Sequence, residues 1–179
     1  MCSLLTSASL YILTESLKSL LKELYLDHCL GIDAALIVPA LVELEHLEVL
    51  SVAGIPTVSD TFVKDYIVAR DMSMGYLTNN CHVLHSLKLC RNSFSDEAIA
   101  AFVETNGESL KELSLNNVKK VGCHTTLSLA SHAKKLHSLD VSWCRNLTDN
   151  TLGLIVDSCL SLRLLKLFGC TQVLHQSSP

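Results

Sequence analysis

The sequence has few aromatic and few charged residues, 5% and 18% of the chain, and it is rich in leucine. Apolar residues make up 49%, which is enough to bury a core and excludes a disordered chain. A leucine-rich, aromatic-poor core favours small repeated units over one large β-sandwich. An excess of basic charge is also missing, since the formal net charge is −4, so the total does not favour nucleic acid or an anionic membrane as partner.

Long apolar segments and targeting signals are missing too. The longest strongly apolar run, 34–42, falls well short of the ~20 residues needed to span a bilayer. Residues 1–13 lack a basic n-region and a clear cleavage site, which favours a helix over a signal peptide. We therefore expect no membrane partner.

Motifs for chemistry are equally scarce. No CxxC pair is present, and the closest metal-like spacing, His82 to His85, has no third ligand nearby in the sequence. The sequence has no paired carboxylates, phosphate loop or nucleophile motif. We therefore expect no catalysis, no metal, no cofactor and no small-molecule substrate.

What the sequence does contain is a recurring six-residue pattern, L-x-x-L-x-L, with Leu or Val in the last position. The successive spacings are 26, 37, 26, 26 and 26 residues, and four equal values out of five are hard to obtain by chance. The pattern begins at Leu21, Leu47, Leu84, Leu110, Leu136 and Leu162.

Each pattern predicts a short strand followed by a helix. In 110–115, Leu113 and Leu115 alternate with polar residues, as in a strand with one buried face. Pairs such as Ser95-Asp96 supply an N-cap and an acidic first turn for the helix. One such unit cannot bury its apolar face alone, so we expect the units to stack into an α/β leucine-rich-repeat solenoid. This horseshoe has a parallel sheet on the concave side and helices on the convex side.

The cysteines follow the same period. Cys29, Cys144 and Cys170 stand eight residues after the first leucine of their pattern, and Cys81 and Cys159 stand three residues before theirs. In a small secreted chain, eight cysteines would suggest disulfides, but positions fixed by the repeat predict buried free thiols in a reducing compartment. We interpret them as small apolar fillers at turns where larger side chains would clash.

The spacing of 37 marks an irregular junction. Residues 58–69 predict the helix of one repeat and 73–81 the helix end of another, with no strand pattern between them. We infer that part of a repeat is missing near Arg70 and Asp71 and expect the chain to be a fragment or splice isoform. The junction is expected to form one long or bent helix on the convex side, with the strands at Leu50 and Leu87 paired directly, and to be the weakest part of the solenoid.

These patterns divide the chain into three parts. Residues 1–20 predict an N-terminal helix that covers the first strand or is the remnant of an earlier repeat. Residues 21–173 predict six repeats, irregular at 58–81, and residues 174–179 predict a disordered tail. Four leucines of the first part share helical spacing: Leu10, Leu13, Leu17 and Leu20.

The unit C-x-x-L-x-x-L-x-L-x-x-C, followed by a polar turn and an apolar helix, resembles the cysteine-containing leucine-rich repeats of F-box-type ubiquitin-ligase receptors. The stretches 95–105, 109–122, 136–144 and 162–170 are similar to plant proteins that resemble the fungal leucine-rich-repeat factor of nucleotide-excision repair. The resemblance implies a nuclear adaptor of an SCF/cullin-type ubiquitin ligase, acting in ubiquitin-dependent protein catabolism. The sequence shows no recognisable F-box or cullin-binding box, so the resemblance does not identify where the ligase would dock.

Two other functions stay open at this point. The first is a nuclear DNA-repair factor that recognises damaged chromatin. Its candidate contacts are Lys119 and Arg145, one repeat apart, with Lys120, Lys134 and Lys135 in the same two repeats. Because so few cations are present, a solvated charged face explains them more simply, and nucleic acid is not favoured as a partner. The second is a degenerate isoform that folds poorly and binds little.

The binding surface for a protein partner is expected on the concave face, where strand residues alternate with the buried leucines. Trp143 and Phe168 are the expected hot spots, because aromatic residues dominate interfaces, whereas simple solvation explains most of the polar residues. The candidate residues are Tyr25, Asp27, Lys88, Arg91, Glu112, Asn116, Asp140, Trp143, Lys166 and Phe168, with Arg91 and Trp143 at the rim. The same face is expected to include Glu23, Ser86, Ser114, Ser138 and Ser142.

Overall fold

Six short parallel strands form one sheet in the order of the sequence. The structure is a computed structural model that describes residues 5–74 and 84–170. The strands are β1 (Glu23–Tyr25), β2 (Val49–Ser51), β3 (Ser86–Lys88), β4 (Glu112–Ser114), β5 (Ser138–Asp140) and β6 (Leu164–Lys166). Their middle residues align across the sheet in register: Leu24, Leu50, Leu87, Leu113, Leu139 and Leu165.

A helix precedes each strand, and each helix packs against the next along the chain. The helices are α1 (Ser7–Leu17), α2 (Ala34–Val42), α3 (Asp60–Met74), α4 (Asp96–Asn106), α5 (Cys123–His132) and α6 (Asp149–Ser158). The side chains of Ser95 and Thr148 cap α4 and α6 by accepting backbone N–H groups. This is the leucine-rich-repeat solenoid that the sequence predicts, with a layer of strands beside a layer of helices.

The leucines of the repeated pattern form one continuous core between the two layers. Leu84, Leu110 and Leu136, which open three of the patterns, are at most 1% exposed. Burying a leucine side chain contributes roughly 1.5–3 kcal/mol, so the repeated leucines supply most of the drive to stack.

The first helix only partly fits its expected amphipathic face. Leu10 is buried in the core, but Leu13 and Leu20 are exposed and Leu17 is half-buried. The helix packs against α2, as each later helix packs against its successor. Only a narrow stripe of this helix, with Leu10 and Thr14, is buried, so its other apolar residues stay in solvent.

The irregular junction joins as predicted within the described residues. β2 pairs directly with β3, with Leu50 opposite Leu87. Helix α3 has 15 residues and continues through positions 70 and 71. Phe62 and Tyr66 are buried, and a cavity of about 10 Å³ remains where they meet the strands. Residues 75–81 of the predicted irregular segment lie outside the described part of the chain.

The repeat-locked cysteines are more than apolar fillers. Cys144, Cys159 and Cys170 are free and buried, as predicted, and Cys29 is buried too, whereas Cys81 lies outside the described residues. The Cys144 thiol donates to a main-chain carbonyl of the preceding repeat, with 3.3 Å from Sγ to the oxygen, and Cys170 does the same at 3.2 Å. The position therefore selects a small side chain that can also donate a hydrogen bond.

Asn92 occupies the equivalent position in the third repeat and supports this interpretation. Its Nδ2 donates to the carbonyl of Val52 at 2.8 Å, across the irregular junction. Its Oδ1 is buried without a hydrogen-bond partner among the described residues. The Nδ2 group thus makes the hydrogen bond that a thiol makes in other repeats. Burial of Oδ1 without a partner costs free energy of desolvation.

Candidate functional site

The concave face of the first three repeats carries an aromatic and charged group of side chains. Tyr25 is 52% exposed, and its hydroxyl donates to Glu23 Oε2 at 3.1 Å. This hydrogen bond, with burial and the charge of Glu23, raises the pKa of the tyrosine. Lys88 Nζ lies 5.3 Å from the centroid of the Tyr25 ring, within cation–π range. Two of the predicted site residues are thereby brought together from β1 and β3.

A depression of about 300 Å³ surrounds this pair. Three of its lining residues were not among the predicted ones: Val49 in β2, His85 before β3 and Lys111 before β4. Their places in the repeated pattern, in or just before a strand, could have indicated them. Burial, reinforced by the charge of Lys111, lowers the pKa of His85. The depression therefore combines acidic, basic and apolar groups, which suits a peptide better than a uniformly charged ligand. Its lining is completed by Glu23, Tyr25, Ser86, Lys88 and Glu112.

On the last repeats the concave face carries an ion pair. Lys166 Nζ lies 3.9 Å from Asp140 Oδ2, and Lys166 is exposed. Asp140 also accepts the backbone N–H of Ser142 at 3.0 Å, and its side chain is 17% exposed. Asp140 thus holds the turn after β5 as well as facing the concave side. Asn116, at the end of the fourth pattern, is half-buried.

Two of the serines expected on this face are largely covered, although Ser86 still lines the depression. Ser86 and Ser142 are only 5% and 4% exposed, because short hydroxyls are covered by the longer side chains around them. Ser86 Oγ donates to Glu112 Oε2 at 3.2 Å and so orients an exposed candidate residue. Asp27 is exposed, but its carboxylate accepts the Ser51 hydroxyl and the Ala53 N–H, which ties β1 to β2.

A regular feature that the sequence prediction missed lies at the carboxyl ends of the strands. The seventh residue after the first leucine of each pattern has a left-handed backbone with φ between +57° and +71°. In the sequence, this conformation is indicated only by the glycine that stands at two of the six positions. The set comprises His28, Gly54, Arg91, Asn117, Trp143 and Gly169.

The two glycines make room for the preceding repeat. A Cβ at Gly54 would lie 2.4 Å from the His28 imidazole, and a Cβ at Gly169 would lie 2.4 Å from Cε3 of Trp143. Non-glycine residues adopt this backbone conformation only at a cost of about 1–2 kcal/mol, so the stacking of the repeats holds His28 and Trp143 there.

Trp143 and Phe168 meet at this edge. Their ring centroids are 5.2 Å apart in an edge-to-face arrangement, and the two residues are 40% and 73% exposed. Arg91, Lys119 and Arg145 are also exposed at the carboxyl ends of their strands. Trp143 is not fully buried, so its predicted hot-spot role stays a prediction.

Within residues 5–74 and 84–170, no three His, Cys, Asp or Glu side chains are grouped to hold a metal ion. His82 lies outside the described residues, and His85 Nδ1 lies 3.9 Å from Glu48 Oε2. In the same ranges no helix has both the length and the apolar character to cross a bilayer.

No model of a known protein family matches the chain. The fold is similar to the tropomodulin C-terminal domain of Caenorhabditis elegans, with a TM-score of 0.65 and 14% identity over 87% of this chain and 92% of that one. It is also similar to a chain of the Rad7 and Elc1 complex of yeast, with a TM-score of 0.60 and 17% identity. That match covers 94% of this chain and 51% of the yeast chain, so this chain spans about half its length. These likenesses, with the repeated register, show that the chain folds as a leucine-rich-repeat solenoid.

Proposed function

We propose that this protein is a non-catalytic interaction scaffold that binds a protein partner on its concave face. The observation that carries the proposal is the group formed by Tyr25, Lys88 and Glu112, which lines an open depression and has no place in the core. An exposed tyrosine ring surrounded by polar groups fits such a site, since tyrosine is enriched at interfaces and their rim is polar.

The cellular role is proposed from the sequence resemblance. The chain serves in the nucleus as a substrate-recognition or adaptor subunit associated with an SCF/cullin-type ubiquitin ligase. A solenoid suits this role because its stacked repeats present one long, rigid binding surface. The similarity in fold to a chain of the yeast Rad7 and Elc1 complex is compatible with this role.

Affinity purification from nuclear extract tests the adaptor role. The chain is used as bait, and cullin-type ligase subunits are quantified by mass spectrometry. We expect such a subunit with the wild-type chain and a loss of at least about tenfold with Lys88→Glu, which reverses a charge over the Tyr25 ring. Lys64→Glu, an exposed lysine of α3, is the matched control and should change nothing. Absence of any ligase subunit contradicts the adaptor role.

A DNA-repair function is the second candidate. The exposed Lys119 and Arg145 occupy equivalent positions of neighbouring repeats. Binding of ultraviolet-irradiated duplex by the purified chain, weakened steeply by salt and abolished by Lys119→Glu with Arg145→Glu, is the outcome that would favour it.

A further inference from the structure

We propose that the carboxyl ends of strands β3 to β6 bind an acidic peptide segment of a partner protein. This strand-end edge consists of Arg91, Lys119, Lys120, Trp143, Arg145 and Phe168. The proposal rests on the interaction role proposed above and adds a second surface and a partner chemistry to it.

The backbone places the turns that carry these side chains next to one another. The N–H of Arg91 donates to Asn116 O at 2.9 Å, that of Asn117 to Ser142 O at 2.8 Å, and that of Trp143 to Phe168 O at 2.7 Å. Successive turns are thus bonded to one another. Lys119 and Arg145 occupy equivalent positions of adjacent repeats, one strand spacing of about 4.8 Å apart, and Arg91 and Trp143 share another position two repeats apart.

The four cations of the edge are available to a ligand. Arg91, Lys119, Lys120 and Arg145 are all exposed, and within residues 5–74 and 84–170 none forms an ion pair. Three lysines elsewhere on the surface do pair with carboxylates: Lys18 with Glu43, Lys22 with Glu48 and Lys166 with Asp140.

The aromatic pair supplies an apolar anchor beside these charges. Phe168 is the more exposed ring, and Trp143 is fixed beneath it because its indole fills the space above Gly169. A tryptophan held rigidly at an exposed edge loses little conformational freedom on binding, and tryptophan and arginine are enriched among interface hot spots. The edge therefore fits a segment that carries acidic residues and at least one large apolar side chain.

Charge favours a short peptide over nucleic acid. The chain has a net charge of −4, and residues 1–79 hold ten acidic side chains against four basic ones. An extended phosphate backbone would continue past the edge toward the exposed Glu23 and Asp27 of the first repeat. In a peptide segment, the acidic residues can be confined to the length of the strand-end edge.

Fluorescence tests the proposal directly, because Trp143 is the only tryptophan of the chain. The probe is a twelve-residue peptide in which four glutamates flank a central leucine and the other residues are uncharged, so that its charge matches the length of the edge. It is compared with an oligo(dT) of about twelve nucleotides, a length that one single-strand site accommodates. We expect the acidic peptide to change the Trp143 emission and to bind more weakly as salt rises. The oligonucleotide should bind less tightly than the peptide.

Charge reversal localises the binding. Lys119→Glu with Arg145→Glu should weaken peptide binding at least about tenfold, and Arg145→Gln, which only removes one charge, about threefold. Lys64→Glu with Lys135→Glu reverses two exposed lysines outside the edge and should stay within about twofold of the wild type. Circular dichroism confirms that each variant is folded.

Three results would overturn the inference: no binding of the peptide, tighter binding of the oligonucleotide through the same residues, or equal loss in the control variant. If a ligase subunit is still captured through Lys88 in that case, the proposed function stands without this edge. If the peptide binds and no ligase subunit is captured, the edge stands and the adaptor role fails.

Discussion

The Trp143 indole occupies the space that a side chain at position 169 would need. A Cβ there would lie 2.4 Å from Cε3 of the indole, and the backbone at Gly169 is left-handed with φ of +71°. Both conditions restrict the position to glycine, so the exposed aromatic pair depends on one residue of the following repeat.

Gly169→Ala should therefore destabilise the protein by roughly 1–3 kcal/mol and shift the Trp143 emission, because the indole must move. Thermal unfolding and fluorescence measure the two effects. Gly153→Ala is the matched control: Gly153 lies inside α6, and its Cβ would meet nothing within 4 Å. That variant should be stabilised by up to about 1 kcal/mol, since alanine favours a helix. An unchanged emission spectrum in Gly169→Ala would contradict the proposed packing.

The period of the leucines was sufficient to predict the fold and the strand register. The prediction succeeded because every repeat must bury the same face of its strand. A shift of the strand register by one residue would expose Leu113 or Leu139. The direct pairing of Leu50 with Leu87 followed from the same rule, despite the irregular spacing.

The site was predicted less completely, because it depends on contacts between neighbouring repeats. Burial of Ser86 and Ser142 depends on neighbouring side chains and not on their own strand. The left-handed residues were missed because Arg91 and Trp143 are not residue types that favour that conformation. Thiol hydrogen bonds, such as that of Cys144 to the preceding repeat, likewise leave no local pattern in the sequence.

The thiols should differ sharply in reactivity. Burial, with the charge of Cys170, raises the pKa of Cys144 to about 12, whereas Cys123 is exposed. Because the thiolate is the nucleophile, native iodoacetamide labelling near pH 8 should modify Cys123 and spare Cys144, Cys159 and Cys170. Peptide mass spectrometry measures the extent at each site, and unfolding in denaturant is the control that should expose all four. Equal labelling of Cys144 and Cys123 in the folded protein would rule out this account of the core.

Asp96 should make stability depend on pH. Its carboxylate accepts the N–H groups of Gly122, His124 and Thr125 at 2.7, 2.8 and 3.1 Å, which caps the following helix. Burial alone would raise its pKa, but the hydrogen bonds from Thr125, Gly122 and His124 outweigh burial and lower it. Because the pKa of Asp96 is lower in the folded state, the unfolded chain binds the proton first as the pH falls. The stabilisation from Asp96 is present above the unfolded pKa of about 3.9 and is lost as the pH falls through the folded pKa.

Asp96→Asn should cost about 1–2 kcal/mol at neutral pH and reduce the loss of stability on acidification. Asp149→Asn, at the exposed start of α6, is the control for removal of a negative charge near a helix N-terminus and should have less effect. Urea unfolding at several pH values gives both quantities. If the two variants follow the same pH profile, the capping role of Asp96 is wrong.

Helix α3 should be the least protected helix between α2 and α5. It spans the irregular junction, and a small cavity lies beside Phe62 and Tyr66 in the core there. Hydrogen exchange should be faster in 60–69 than in α4, with a single melting transition because β2 and β3 pair directly. Protection equal to that of α4 would show that the junction is not weak, and two separate transitions would show that the solenoid is divided there.

The central claim, that the protein binds its partner on the concave face, is tested most directly by site-specific photo-crosslinking. A photoreactive phenylalanine analogue replaces either Tyr25 on the concave face or Leu127 on α5, since the two side chains are exposed to a similar extent, 52% and 49%. After irradiation in nuclear extract, mass spectrometry identifies the crosslinked proteins. The account predicts a cullin-ligase subunit or its target crosslinked through position 25 and not through position 127, with the product lost in Lys88→Glu. Crosslinking of such a protein through position 127 alone would contradict it.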